Sequence, residues 1–380
     1  MKIVKRVEIA ALTLALILIF GSVGSVFANE SLTNLEKPIQ ESFLSYSQAV
    51  DIALKRDRTL KEQIIQNEIS EIQMEDLIEE FGYSFTNLDY LRYYKTKKAD
   101  EINSEKSDRL SAYVEESLKY GIKALFYNIK STKDDIEFHE QKISNLEKKN
   151  KIVELKYEHG LESKTNFTSA KIELEKLYKE KETLIKNLDD YYISLNKLLG
   201  YPSEKRYGVE KVEFVYEPVN DDPKDLQVRI SRAIDSSLTV WGNKQALDMS
   251  KIDVDLYSYY VVGGNLYSPQ PHEIFKLESK TKALSVEQSK EDVENAVVKS
   301  FHDIKKTEAQ LEQAKVNLKT INEKKRILEV AINAGTAIGQ DYQDLMLAEK
   351  ELNMQLDKLI AGHELQKEKY LNPYLAGGGA

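Results

Sequence analysis

Side chains able to carry chemistry are scattered along this chain rather than assembled. The five histidines, His139, His159, His272, His302 and His363, are far apart, and no two share the HExxH spacing that would set both imidazoles on one helix face around zinc. Glu140 follows His139 and Glu364 follows His363; both pairs are expected as solvated helix neighbours. The absence of cysteine excludes disulfides, thiolate metal sites and a lipid-modified cysteine. The run Gly377 to Gly379 reads as a flexible tail with nothing after it to cradle a phosphate. No catalytic residue, cofactor or metal is expected, and an enzyme is the reading with no constellation behind it.

The elements that would have to position a site are themselves the strongest signal. Residues Ile122 to Leu174 superpose without a gap on Val297 to Glu349 at a shift of about 175. Phe126 falls on Phe301, Ile129 on Ile304, Gly160 on Gly335 and Phe167 on Tyr342. Upstream, Ala53 matches Ala233 and Leu60 matches Val240 at a shift of about 180, so the five-residue difference must be absorbed between the first and second helices of a repeat. Each copy reads as a short helix, a connector, a very long helix, a glycine break and a returning helix. Such a unit suits an elongated hairpin, and function is expected in shape and assembly.

Apolar residues recur at helical spacing from near Ser45 or Ser47 through Leu77, and again from Asp225 through Leu247. The second helix is expected from about Asp108 to His159, with the seam Ile122, Phe126, Ile129, Ile136, Ile143, Leu146 and Val153. After the break the chain returns through Leu174, Leu184, Leu188, Leu195 and Leu199, then stops at Gly200, Tyr201 and Pro202. Val209 to Tyr216 alternates weakly enough for one short strand. The fold class is therefore all-α, long antiparallel hairpins in two tandem repeats with at most a small β remnant. The organisation is a signal peptide over 1–28, a first repeat over 29–200, a linker over 201–224 and a second repeat over 225–380.

Composition agrees. Charged residues make up 31% and hydrophobic ones 41%, a balance suited to helices with narrow buried seams and wide solvated faces. The formal net charge is −9, unfavourable for binding nucleic acid or anionic lipid, and no nucleic-acid partner is expected. Lys2, Lys5 and Arg6 precede an apolar run from Ile9 to Phe20, with Val26, Phe27 and Ala28 as a cleavage site. An uncleaved anchor is the alternative; either way the body lies outside the cytoplasm. Two connectors are rich in tyrosine, with Tyr83, Phe85, Tyr90, Tyr93 and Tyr94 in the first repeat and Tyr257, Tyr259, Tyr260 and Tyr267 in the second. They suit either contact with a membrane interface or packing of the end opposite the glycine breaks.

The opening SYSQAVDIALKRDRTLKEQ, the segment ELKYEHGLESKTNFTSAKIELEKLYKE, the closing SLNKLLGYP and the segment EVAINAGTAIGQDYQDLMLAEKEL, in this order and duplicated, resemble the TolC-like outer-membrane efflux proteins over nearly all of the mature chain. The resemblance implies a homotrimer whose hairpins close into a hollow helical barrel, in the outer membrane and periplasm or at the surface of a cell without an outer membrane. It also implies tip turns at Gly160, Leu161, Gly335 and Thr336, where a membrane-fusion-type adaptor docks and an inner-membrane pump hands over cargo.

Carried over residue by residue, the second tip is Gly335, Thr336, Asp341 and Asp344. The two acids share one helix face, and three chains would set six carboxylates around the entrance, a ring that favours cations; equally, both acids can simply complement the first turn's dipole. In the first tip Gly160, Leu161 and Thr165 match, while Asn166 stands for the usual Asp. Ala337 replaces an arginine that can latch the entrance, which implies an entrance held by packing and neutral hydrogen bonds and little affected by salt. The other departure is at the tyrosine-rich end. The connectors Phe81 to Asp108 and Asp255 to Ser279 lack the clean alternating runs of about 9–11 residues that membrane strands need, so full spanning strands are not expected. An exported helical structural or adaptor protein without channel activity is the alternative function; a strand pair at that end would favour the channel, a helical cap the spacer.

Overall fold

The computed structural model describes residues 43–80, 87–262, 270–336 and 339–377. The expected signal peptide, the arm before Phe43, and Tyr83, Phe85, Tyr267 and Ala337 lie outside the described residues. Glu41–Ala380 group as one compact unit.

Strand β1 (Phe43–Leu44) leads into helix α1 (Tyr46–Arg56). Ser45 starts α1 with a capping box: its hydroxyl takes the Gln48 amide while the Gln48 side chain takes the Ser45 amide. The helix expected to continue to Leu77 instead breaks at Asp57, which ends α1 and, by accepting the Leu60 amide at 3.0 Å, starts α2 (Arg58–Glu80). Helix α3 (Asn87–Glu158) begins well before the expected Asp108 and runs 72 residues, roughly 108 Å at 1.5 Å per residue. Helix α4 (Lys164–Leu199) returns and ends at Gly200, whose φ of 64° places it in the left-handed region.

The linker contributes β2 (Gly208–Val209), parallel to β1. This pair is the only sheet among the described residues, and it is shorter than the expected Val209 to Tyr216 strand. The second repeat consists of α5 (Pro223–Ser236), α6 (Leu238–Val262), α7 (Gln270–Asn333) and α8 (Gly339–Leu371), with a final turn α9 (Pro373–Ala376). Ser237 repeats the role of Asp57 at the equivalent position, ending α5 and accepting the Val240 amide at 3.3 Å.

The two repeats build equivalent cores. Ile122, Phe126 and Ile129 of α3 are fully buried against Ala49, Val50 and Ala53 of α1 and Tyr192, Leu195 and Leu199 of α4. Val297 and Ile304 of α7 are buried against Ile230 and Ala233 of α5, Val240 of α6 and Tyr370 of α8. On the tip side of these cores the long helices form one layer in the order α4–α3–α8–α7; on the other side the head runs α2–α3–α6–α7.

The head corrects one expectation. The tyrosine-rich connectors are largely helix: Tyr90, Tyr93 and Tyr94 belong to α3, and Tyr257, Tyr259 and Tyr260 to α6. The described helices end at Glu80 and Val262 and resume at Asn87 and Gln270. No helix among the described residues is long and apolar enough to cross a membrane. Trp241 of α6 donates to Glu105 of α3 at 2.9 Å, and Arg109 donates to the Asp235 carbonyl at 3.0 Å while lying over the Trp241 ring. These bonds tie the two repeats together where the head meets the body.

Candidate functional site at the hairpin tips

Gly160 and Gly335 occupy the same conformation, each with φ of 72°, which a side chain bearing Cβ adopts at a cost. At the first tip the Leu161 amide reaches the Lys156 carbonyl at 2.7 Å and the Gly160 amide reaches Tyr157 at 3.0 Å; at the second, Thr336 reaches Ala331 and Gly335 reaches Ile332, both at 2.9 Å. This paired bonding satisfies the last carbonyls of a helix that must stop. The two positions are therefore equivalent bends.

The segments leaving the two bends differ. Ser163 caps α4 by accepting the Asn166 amide at 3.1 Å, and the Asn166 side chain donates to Glu162 at 2.8 Å. That bond and the Ser163 amide hold the Glu162 carboxyl below its ordinary value. Asn166 thus serves its own turn, a role an ionised Asp could not fill beside Glu162. Thr165 is exposed, and Leu161 is 77% exposed, an apolar knob in water. Tyr157 stacks on Phe167 at 4.7 Å behind it. At the second tip the Thr336 hydroxyl caps the Ala331 carbonyl at 3.0 Å, and Asp341 sits exposed in the first turn of α8.

Asp344 does not hang free. It crosses to α3, where Lys149 donates to both its oxygens at 2.6 Å and Asn145 donates at 3.2 Å. Partial burial works to raise the Asp344 carboxyl, but the bonds from Lys149 and Asn145 prevail and hold it below its ordinary value. The expectation of a neutral closure is corrected at this seam, because a charged pair joins the two hairpins near the tips. Lys149 gave no sequence signal, since its partner lies about 195 residues away.

The same seam continues towards the cores. Lys142 faces Glu351 at 3.4 Å and Lys358 faces Asp135 at 2.6 Å. With Lys149 and Asp344 these form a ladder whose rungs are seven residues apart on both α3 and α8. Nearer the head, Lys123 bonds Glu368 at 2.6 Å. Buried apolar seams bind α3 to α4 and α7 to α8, with ion pairs such as Lys181–Glu140 and Lys325–Glu349 beside them, whereas the rungs that join the hairpins to each other are charged.

A second cluster corrects the view of His363 as solvated. It is fully buried, with Nδ1 3.0 Å from Glu364 and Nε2 3.3 Å from Glu308. The same carboxylates accept linker amides: Glu308 takes Val219 at 2.9 Å and Glu364 takes Glu217 at 3.0 Å. Lys305 and Lys367 supply the opposite charge. The group straps the linker onto α7 and α8. His139 is half-buried, its Nδ1 3.0 Å from the Asp135 carbonyl. Among the described residues no cluster of His, Asp and Glu could hold a metal.

No family model and no curated protein sequence matches the chain. Solved structures do. The outer-membrane channel OprN matches at 11% identity and a TM-score of 0.64, over 88% of this chain and 90% of that one. CusC, described through the conformational changes that accompany its transmembrane channel formation, matches at 12% and 0.62 over 88% and 92%. The Campylobacter jejuni CmeC outer membrane channel matches at 11% and 0.61 over 94% of each chain. Identities this low establish a shared fold, and these three proteins are described as channels. The resemblance carried by the opening, tip and closing segments is thus borne out in three dimensions: this chain, all-α and twice repeated with a two-strand β remnant, shares the helical fold of TolC-like outer-membrane channels.

Proposed function

We propose that the chain is one subunit of a TolC-like duct of the cell envelope, a homotrimer serving efflux or secretion, whose tips dock a membrane-fusion-type adaptor and, through it, an inner-membrane pump. The observation that carries this reading is an unfinished seam. Within the chain α3 meets α8. The shift of about 175 relates α3 to α7 and α8 to α4, so the two outer helices of the layer are the two halves of the same seam. One chain can form it once; the second instance needs a neighbouring copy, and copies joined head to tail in this way form a ring where the rotation between them closes. Ile172, Tyr178, Ile185 and Ile193 on α4 and Val316, Ile327 and Val330 on α7 are each at least 43% exposed in a single chain, which is a large apolar area to leave in water.

In the trimer, Leu161 and Thr336 present the docking face and Asp341 contributes the acidic ring, Asp344 being matched by Lys149. Solution mass of residues 29–380, with end-on electron microscopy, tests the reading: a trimer around a central lumen is expected, and a monomer or a lumen-free rod would overturn it. The helical head favours a second reading, an exported structural or adaptor protein that bridges envelope layers. Sustained unitary conductance of the purified trimer in planar bilayers would reject that alternative.

A further inference from the structure

Resting on the reading of the chain as a ring-forming subunit, we infer that the ring continues through the head: α2 of one copy docks on the head portion of α7 of the next copy, in the register in which α6 docks on α3 within a chain. The head order α2–α3–α6–α7 leaves α2 and α7 at its two edges. In the chain's own α3–α6 seam, Lys95 pairs with Asp253 and Glu105 accepts from Trp241. The repeat relates α3 to α7 by about 175 and α6 to α2 by about 180. Moving the α3–α6 pairs by these shifts sets Gln73 opposite Gln270 and Lys61 opposite Lys280, and in that register Ile65 faces Leu277 and Ile69 faces Ile274, with Glu62 beside Lys61 and within a residue of Lys280.

Every one of these apolar positions is exposed in the single chain, Ile65 at 53%, Ile69 at 40%, Ile274 at 54% and Leu277 at 61%. Apolar residues therefore meet apolar residues along an edge that no described residue of the chain covers. Charge agrees with the pairing. Helix α2 carries seven acidic residues against Arg58 and Lys61, while the start of α7 carries Lys276, Lys280 and Lys282 against Glu273 and Glu278, with Lys276 paired to Glu273, so a net acidic edge meets a weakly basic one. The acidic α2 disfavours an anionic lipid surface as the occupant. A second copy of this chain supplies both the apolar partner and the lysines, and it is the same neighbour that completes the seam of the body. The result is a helical collar, a continuation of the duct wall standing in water where membrane strands would otherwise be.

The chain has no cysteine of its own, so single-cysteine variants report contacts cleanly. Ile65→Cys and Leu277→Cys, made separately, mixed and oxidised, form a disulfide only where the Cβ atoms approach to about 4.5 Å. Ser169→Cys with Thr320→Cys, the repeat equivalents of Asp344 and Asn145, tests the body seam in the same way. Covalent dimers from both mixtures are expected. A dimer from the body pair alone overturns the collar and leaves the ring standing; no dimer from either overturns the ring and the collar together. A bond between residues 65 and 277 inside one doubly substituted chain also overturns the collar, since the head would then close on itself. Maleimide labelling of Ile65→Cys checks the result without oxidation: protection in the assembled ring is expected, and labelling as fast as in the dissociated chain overturns the collar.

Discussion

The seam inside each hairpin and the seam between hairpins are built from different materials. Inside, Ile122, Phe126 and Ile129 are wholly removed from water against α1 and α4. Between, Lys149 and Asp344 meet with 33% and 43% of their side chains still exposed. Burial of apolar area is strong, additive and indifferent to salt, whereas exposed ion pairs contribute about 0–1 kcal/mol each and are screened. The hairpins are thus held more firmly than the joint between them.

Phe126→Ala should show the largest effect, a loss of about 3–5 kcal/mol, read from urea denaturation followed by circular dichroism. A loss below about 1 kcal/mol would erase the contrast between the seams. Next come the bends. Gly160→Ala and Gly335→Ala should each cost about 1–2 kcal/mol, and equally, because among the described residues beyond the chain neighbours no atom lies within 4 Å of either added Cβ, which leaves a conformational penalty. Unequal costs would mean that the two tips are not equivalent. Asp57→Ala and Ser237→Ala, which remove the caps restarting α2 and α6, should each cost about 1 kcal/mol.

The smallest effect belongs to the charged joint. Lys149→Met or Asp344→Asn should change stability by at most about 1 kcal/mol, and the difference should fade in high salt. Acid should act on the same joint. The folded-state Asp344 carboxyl lies below its unfolded value, normally about 3.9, so its contribution is present above that pH and is lost as pH falls through the lower folded value. Hydrogen exchange at the tips should rise over that range in the native chain and show no acid step in Asp344→Asn. An unchanged step would assign the acid response elsewhere.

The bends, the repeat and the long hairpins are legible in the sequence because their causes are local. Gly160, Gly200 and Gly335 take the left-handed conformation that closes a helix, whereas Gly121, Gly242 and Gly362 stay within helices. The breaks at Asp57 and Ser237 are also written in the chain, as capping residues inside an apolar series, but the periodicity runs across them and conceals them. The helical head is hidden for a related reason. Lys95, Lys97, Lys98 and Asp100 within a tyrosine-rich stretch match neither a membrane strand nor a helix with a clear apolar face, and α3 extends through them by packing on α2 and α6.

Alone, the order of residues determined that this protein is two copies of one hairpin unit, where each turns and which side chains form its inner seam, because glycine conformations and helical periods act over a few residues. Only the tertiary structure decided that Lys149 answers Asp344, that His363 is buried beneath the linker, and that the head is helical. Those outcomes depend on which distant segments come to share a surface, and the free energy of burying or pairing a side chain is set by its neighbours in space rather than along the chain.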